Sequence, residues 1–163
     1  AGKHIPSIAY EIDKRNPSSE LWINLKGVAI GNGYTDPLTC ISYSEYLYQL
    51  GLVDRHVKKY MEGLEKLGRS YIDKSDYLKA YYAWSTNLAL FTQASNYSNL
   101  YHILYPHAQV LNANFVDYVQ TTAVRQALHV GDTEFTSIGP VYTKLVPDIM
   151  TSGVEWLKPL LGK

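Results

Sequence analysis

One short run limits this chain more than any other: the nearly unbroken apolar stretch Leu-Lys-Gly-Val-Ala-Ile at residues 25–30, closed by Gly31-Asn32-Gly33. Such a run, without polar alternation, suits a strand buried on both faces, as in a parallel sheet. Ahead of it, Ile5, Ile8, Ala9 and Ile12 recur at i, i+3, i+4, i+7, which predicts a helix with one apolar face. Pro6 forces that helix to begin almost at the first residue, because only in a first turn is the missing N–H harmless. Arg15-Asn16-Pro17-Ser18-Ser19-Glu20 then reads as a loop. A helix feeding a buried strand is half of a βαβ unit. The other strand is not in the sequence, so residues 25–30 are expected to pair with chain from elsewhere.

The turn after this run is the candidate site. Open α/β sheets place their ligands beyond the carboxyl ends of the strands. Asn32, Gly33 and Tyr34 stand there, and Asp36-Pro37 sets the exit turn. A well-made strand-to-helix turn without chemistry would use the same residues, so the pattern alone leaves both readings open.

From about residue 39 the pattern becomes helical. Tyr43, Tyr46, Leu47 and Leu50 share a face, with Gly51 placed to end the helix in the left-handed conformation. Asp54 is the expected N-cap of the next helix, with Val57, Tyr60, Met61 and Leu64 in register. Asp76 is the expected cap of a third, through Leu78, Tyr81, Tyr82 and either Trp84 or Ser85. Residues 92–113 are polar, aromatic and interrupted by Pro106. Thr121 or Thr122 opens a further helix through Val124 and Leu128, and Pro147 and Pro159 break the last one or two.

Composition excludes several classes of function. The 163 residues carry 15 basic and 15 acidic side chains, with no basic stripe to follow a nucleic-acid backbone. No apolar run is long enough to span a bilayer. With 46% hydrophobic residues and 18% charged, the chain has a globular balance. Its 15 tyrosines point to a core with wet edges, or to a pocket lined by amphipathic rings.

The residues that usually carry chemistry are scattered. The five histidines, His4, His56, His102, His107 and His129, form no metal-ligand spacing with Cys or carboxylates. We expect no metal and no cofactor, and assign all five to packing or capping. There is no Gly-x-Ser-x-Gly, P-loop or dinucleotide fingerprint. Cys40 is the single cysteine, either a small buried hydrophobe or half of a bridge to another segment. Asn96-Tyr97-Ser98 is a glycosylation sequon, whereas Asn16-Pro17-Ser18 is excluded by its proline. The start has neither a signal-peptide pattern nor an initiator methionine, as if a leader had been removed or the chain began inside a longer one.

Three stretches together resemble the serine carboxypeptidases, most closely their vitellogenic-like group. Ala1-Gly2-Lys3-His4-Ile5-Pro6 resembles the residues after that family's nucleophile, whose elbow reads Gly-Glu-Ser-Tyr-Ala-Gly. Residues 24–37, NLKGVAIGNGYTDP, are similar to its following strand and turn almost letter for letter. Residues 43–54 and 124–130 resemble later helices, whereas 63–74 match poorly. The family's cap cysteines have no counterpart at 92–105.

The resemblance implies a partial α/β-hydrolase fold: one central strand plus helices and a mainly helical cap insertion. Residues 1–38 would belong to the hydrolase core, 39–120 to the cap, and 121–163 to return helices. The serine would lie two residues before Ala1, with the aspartate and histidine after Lys163, so no catalytic residue is expected here. Asn32, Gly33 and Tyr34 would contact substrate on the pocket floor, and Asn96 would carry glycan. The implied function is scaffold and pocket wall of a secreted or lysosomal (or vacuolar) serine-type carboxypeptidase. It removes C-terminal residues from peptides, with the remaining segments of that enzyme as partners. Two alternatives stay open: a non-catalytic binding protein of the same fold, and a stand-alone helical interaction module.

Overall fold

A computed structural model of the chain describes residues 1–107, 114–135 and 139–162. The periodic segments fold where their spacing predicts helices. α1 (His4–Arg15) starts at the chain's beginning, with Pro6 and Ala9 buried. After a single 3-10 turn at Asn16–Ser18 and a long irregular stretch come α2 (Pro37–Cys40) and α3 (Ser44–Gln49). Gly51, at φ +70°, follows α3 in the left-handed conformation expected of it.

Asp54 caps α4 (Arg55–Asp73), accepting from the Val57 N–H at 2.8 Å. Asp76 likewise caps α5 (Tyr77–Ser95), accepting from the Lys79 N–H at 3.3 Å. α6 (Asn114–Val119) and α7 (Thr122–Leu128) follow, the latter opening beside Thr121 as predicted and closing on left-handed His129. α8 (Pro140–Ile149) contains Pro147, and α9 (Val154–Leu157) leads into a 3-10 turn with Pro159 in it. Residues 92–113 are not uniformly irregular, since α5 continues to Ser95 and residues 108–113 lie outside the described part.

The frame is the α4–α5 hairpin, turned at Lys74-Ser75-Asp76. Met61 and Phe91 fill one end of it with Leu47 and Val53. At the other end a second cluster gathers Ile41, Ala80 and Met150, bringing α8 onto α5. Between them Gly68 lets Ala83 and Ile41 approach closely. α1 packs on α9 and the turn after it.

The expected partial α/β-hydrolase fold, with one central strand plus helices, is not observed: no β-strand occurs among the described residues. Residues 25–30 are irregular, and Leu25 and Val28 remain 38% and 43% exposed. A strand is a shared object, because its N–H and C=O groups need partners on a neighbour. No described segment runs beside this one. The Leu25 N–H bonds Ile23 O at 2.8 Å instead, closing a local turn.

The connection from α2 to α3 is held from α4. The Glu65 side chain is buried and accepts from the Tyr43 N–H at 2.8 Å, the Ser44 N–H at 2.7 Å and the Ser44 hydroxyl at 2.9 Å. One turn later Arg69 donates to Leu38 O, Ile41 O and Ser42 Oγ. Glu65→Ala would leave two backbone N–H groups without their carboxylate partner. We expect a loss of roughly 2–4 kcal/mol in urea unfolding, with Glu65→Gln losing less because one acceptor oxygen remains. Equal stability of Glu65→Ala and wild type would refute this role.

Candidate functional site

The site is built where the first residues cross the turn after the apolar run. Gly2 is buried against that turn: a Cβ on it would stand 2.6 Å from Tyr34 N and 2.7 Å from Tyr34 C. Gly33 faces it, and a Cβ there would lie 3.1 Å from Gly2 Cα and 2.3 Å from Ile30 Cγ2. Two glycines in opposition let the backbones come closer than side chains allow. The same turn is pinned from the far end of the chain. The Gly153 N–H donates to Thr35 O at 2.8 Å, and the Ser152 hydroxyl donates to Asp36 Oδ1 at 2.8 Å.

Lys3 completes the clamp. Its ammonium donates to Asp148 O at 2.7 Å, to Thr151 Oγ1 at 3.0 Å and to Thr151 O. These acceptors lie at the C-terminal end of α8, where a cation is favoured by the helix dipole. Burial pulls the Lys3 pKa down, while Asp148 and Asp36 pull it up. These contacts tie Lys3, at the start of α1, to the end of α8.

Above this crossing opens a cleft of about 200 Å³. Asn32 and Tyr34 of the turn line it together with residues 1–4 at the start of the chain and Leu145, Asp148 and Ile149 of α8. Asn32 holds φ +51°, a left-handed conformation that asparagine tolerates better than most residues. The Tyr34 ring lies 5.6 Å from Trp84 at 41°, and its hydroxyl faces Met150 Sδ at 3.9 Å. Burial, then the nearby Tyr43, Cys40 and Asp36, push its pKa far above the ordinary tyrosine value. Among the described residues no serine, threonine or cysteine lines the cleft, and the described lining supplies shape and polarity.

Asn32 and Tyr34 both line the cleft, whereas Gly33 is not among its lining residues and packs against Gly2. Asn96 does not line the cleft. It is exposed and caps the C-terminus of α5 at φ +60°. Cys40 is half-buried and free. Among the described residues no group of three His, Cys, Asp or Glu converges as a metal site, and no helix is long and apolar enough to cross a membrane. Sequence reasoning missed Lys3, Leu145, Asp148, Met150 and Trp84. Trp84 reads only as part of a helical face, and no local period marks the others, because their contacts span long stretches of chain.

The sequence profile of the serine carboxypeptidases matches residues 1–161, and the chain belongs to that family. It is 36% identical to the probable serine carboxypeptidase CPVL of Pongo abelii, over 99% of this chain and 36% of that protein. It is 35% identical to the venom serine carboxypeptidase of Apis mellifera, over 82% of this chain and 31% of the relative. Identity to the vitellogenic carboxypeptidase of Aedes aegypti is 28%, over 99% and 36%. The chain thus spans about a third of the length of the curated relatives it matches. No solved structure matches it significantly.

Burial raises the phenols of both Tyr34 and Tyr43. A group whose folded pKa lies above its unfolded value of 10.0 contributes stability fully below that value and loses it as the folded pKa is passed. Stability should therefore begin to fall as pH rises above about 10. Tyrosinate absorbance should show a late-ionising class that loses one phenol in Tyr34→Phe. Loss of an early-ionising phenol instead would mean that Tyr34 is solvated.

Proposed function

We propose that this chain is a segment of a serine-type carboxypeptidase that removes C-terminal residues from peptides, and that it contributes scaffold and pocket wall without a triad residue. Family membership supports the reaction class. The observation that carries the reading is the contact between Gly2 and the Gly33–Tyr34 backbone. In the family resemblance Gly2 follows the nucleophilic serine closely, and this contact supports the reading that Tyr34 and Asn32 lie beside the scissile bond. In such a reaction serine attacks the carbonyl, histidine moves the proton and aspartate orients the histidine. Those groups belong to the remaining segments of the enzyme. The exposed Leu21, Trp22, Leu25 and Val28 are apolar surface for those segments to cover.

Within this reading, residues 1–38 belong to the core, 39–120 to the cap and 121–163 to the return. The enzyme is secreted or lysosomal, and Asn96 carries its glycan. Exposure of Asn96 and Ser98 at the end of α5 supports that assignment. Peptide mapping of native material should find Asn96 glycosylated, and a wholly unmodified Asn96 would count against passage through the secretory route.

Tyr34 presents a ring to the side chain preceding the cleaved residue. In the complete enzyme, Tyr34→Ala should enlarge the pocket and shift preference toward bulkier side chains by roughly tenfold in kcat/KM. A peptide series varied at that one position measures it. Equal loss across the series would reduce Tyr34 to a support of the turn.

A further inference from the structure

Tyr34 stands on a loop, and among the described residues its hydroxyl makes a long contact to the Met150 sulfur. Its backbone is held by Gly2, but that does not set the direction of the ring. The ring is backed by Trp84, at 5.6 Å and 41°. Trp84 does not line the cleft, so any influence it has on a ligand passes through Tyr34.

Trp84 is itself fixed. It sits in the middle of α5, a helix of 19 residues. Its indole N–H donates to the Tyr43 hydroxyl at 3.1 Å, and the Tyr81 ring meets it at 5.7 Å and 50°. Tyr43 is held in turn through its backbone N–H by buried Glu65. A rigid path therefore runs from the α4–α5 hairpin to the wall of the cleft. Tilted aromatic pairs at such distances are attractive beyond their buried area, so the Trp84 face favours one placement of the Tyr34 ring.

We propose that Trp84 is a positioning residue that sets where the Tyr34 ring stands and thereby which side chains the pocket accepts. This rests on the carboxypeptidase reading above. A purely structural Trp84, filling the cluster of Ile41, Ala80 and Met150, would affect stability and leave preference alone.

The test uses the complete enzyme with a peptide series varied at the side chain preceding the cleaved bond. Trp84→Leu should move the ratio of kcat/KM for bulky over small side chains in the same direction as Tyr34→Ala, by about fivefold and mainly through KM. Trp84→Phe keeps an aromatic face and should stay within about twofold of wild type. The double variant with Tyr34→Ala should add little to Tyr34→Ala alone, because the effect acts through that ring. Equal loss on every peptide in Trp84→Leu, or full additivity in the double variant, would overturn the inference. Should leucine fail to fold, Trp84→Met takes its place in the same comparisons.

A flat profile in Tyr34→Ala would defeat the pocket reading, and a second measurement then decides the role of Trp84. In the 163-residue chain, the Tyr34 phenol is isolated as the difference between each protein and its Tyr34→Phe counterpart. It should ionise at lower pH in Trp84→Leu, or in Trp84→Met, than in wild type, as the ring leaves its buried place. Unchanged ionisation, with helical circular dichroism intact, would show that Trp84 does not position Tyr34.

Discussion

Glu65 lies inside the protein with two backbone N–H groups and a hydroxyl aimed at its carboxylate. Burying a carboxylate is expensive unless it is fully hydrogen-bonded, and here the start of α3 supplies the donors. Arg69, one turn along α4, gathers the opposite kind of group, the carbonyls of Leu38 and Ile41. α4 thus satisfies both the donors and the acceptors of an otherwise irregular connection. Removing that arrangement would release Tyr43, and with it the hydroxyl that holds Trp84. Among the described residues the buried Asn87 Oδ1 of the hairpin has no hydrogen-bond partner, although its amide reaches Glu65 at 3.5 Å.

The cleft depends on a second constraint, the crossing of Gly2 over Gly33 and Tyr34. This crossing orders three distant pieces of chain. α1 begins there, the turn after the apolar run passes beneath it, and the link from α8 to α9 closes over both through Gly153 and Ser152. Lys3 locks α8 to the same place through its contacts with Asp148 and Thr151. The outcome is a wall with defined shape, which suits the role proposed for it within a larger carboxypeptidase.

The features legible in advance are those decided within a few residues. Asp54 and Asp76 cap their helices, and Gly51 turns left-handed, because each needs only its immediate neighbours. The buried faces were less legible. A stripe of Val57, Tyr60, Met61 and Leu64 predicts Tyr60 inside, yet Tyr60 is 73% exposed and the buried line is Met61, Glu65, Gly68. A charged residue on that line disguised it. In α5, likewise, Ala80, Ala83 and Asn87 are buried while Leu78 and Tyr82 face outward. Close helix packing selects small side chains, and the large apolar residues carry no mark of which way the hairpin turns.

By itself the sequence determined the longer helices, the Asp54 and Asp76 caps and the family, and it singled out the turn at Asn32, Gly33 and Tyr34 as a candidate. It could not determine whether residues 25–30 become a strand, because a strand exists only beside a partner and none of the described chain provides one. Nor could it reveal Glu65, Lys3, Trp84 or Met150 as the supports of the site. Glu65 meets Tyr43 across 22 residues, Tyr34 meets Met150 across 116, and Lys3 meets Asp148 across 145. Sequence periodicity reports on neighbours within a turn or two of helix. Contacts over such distances arise only when packing brings the donors and acceptors together, so only the tertiary structure decided them.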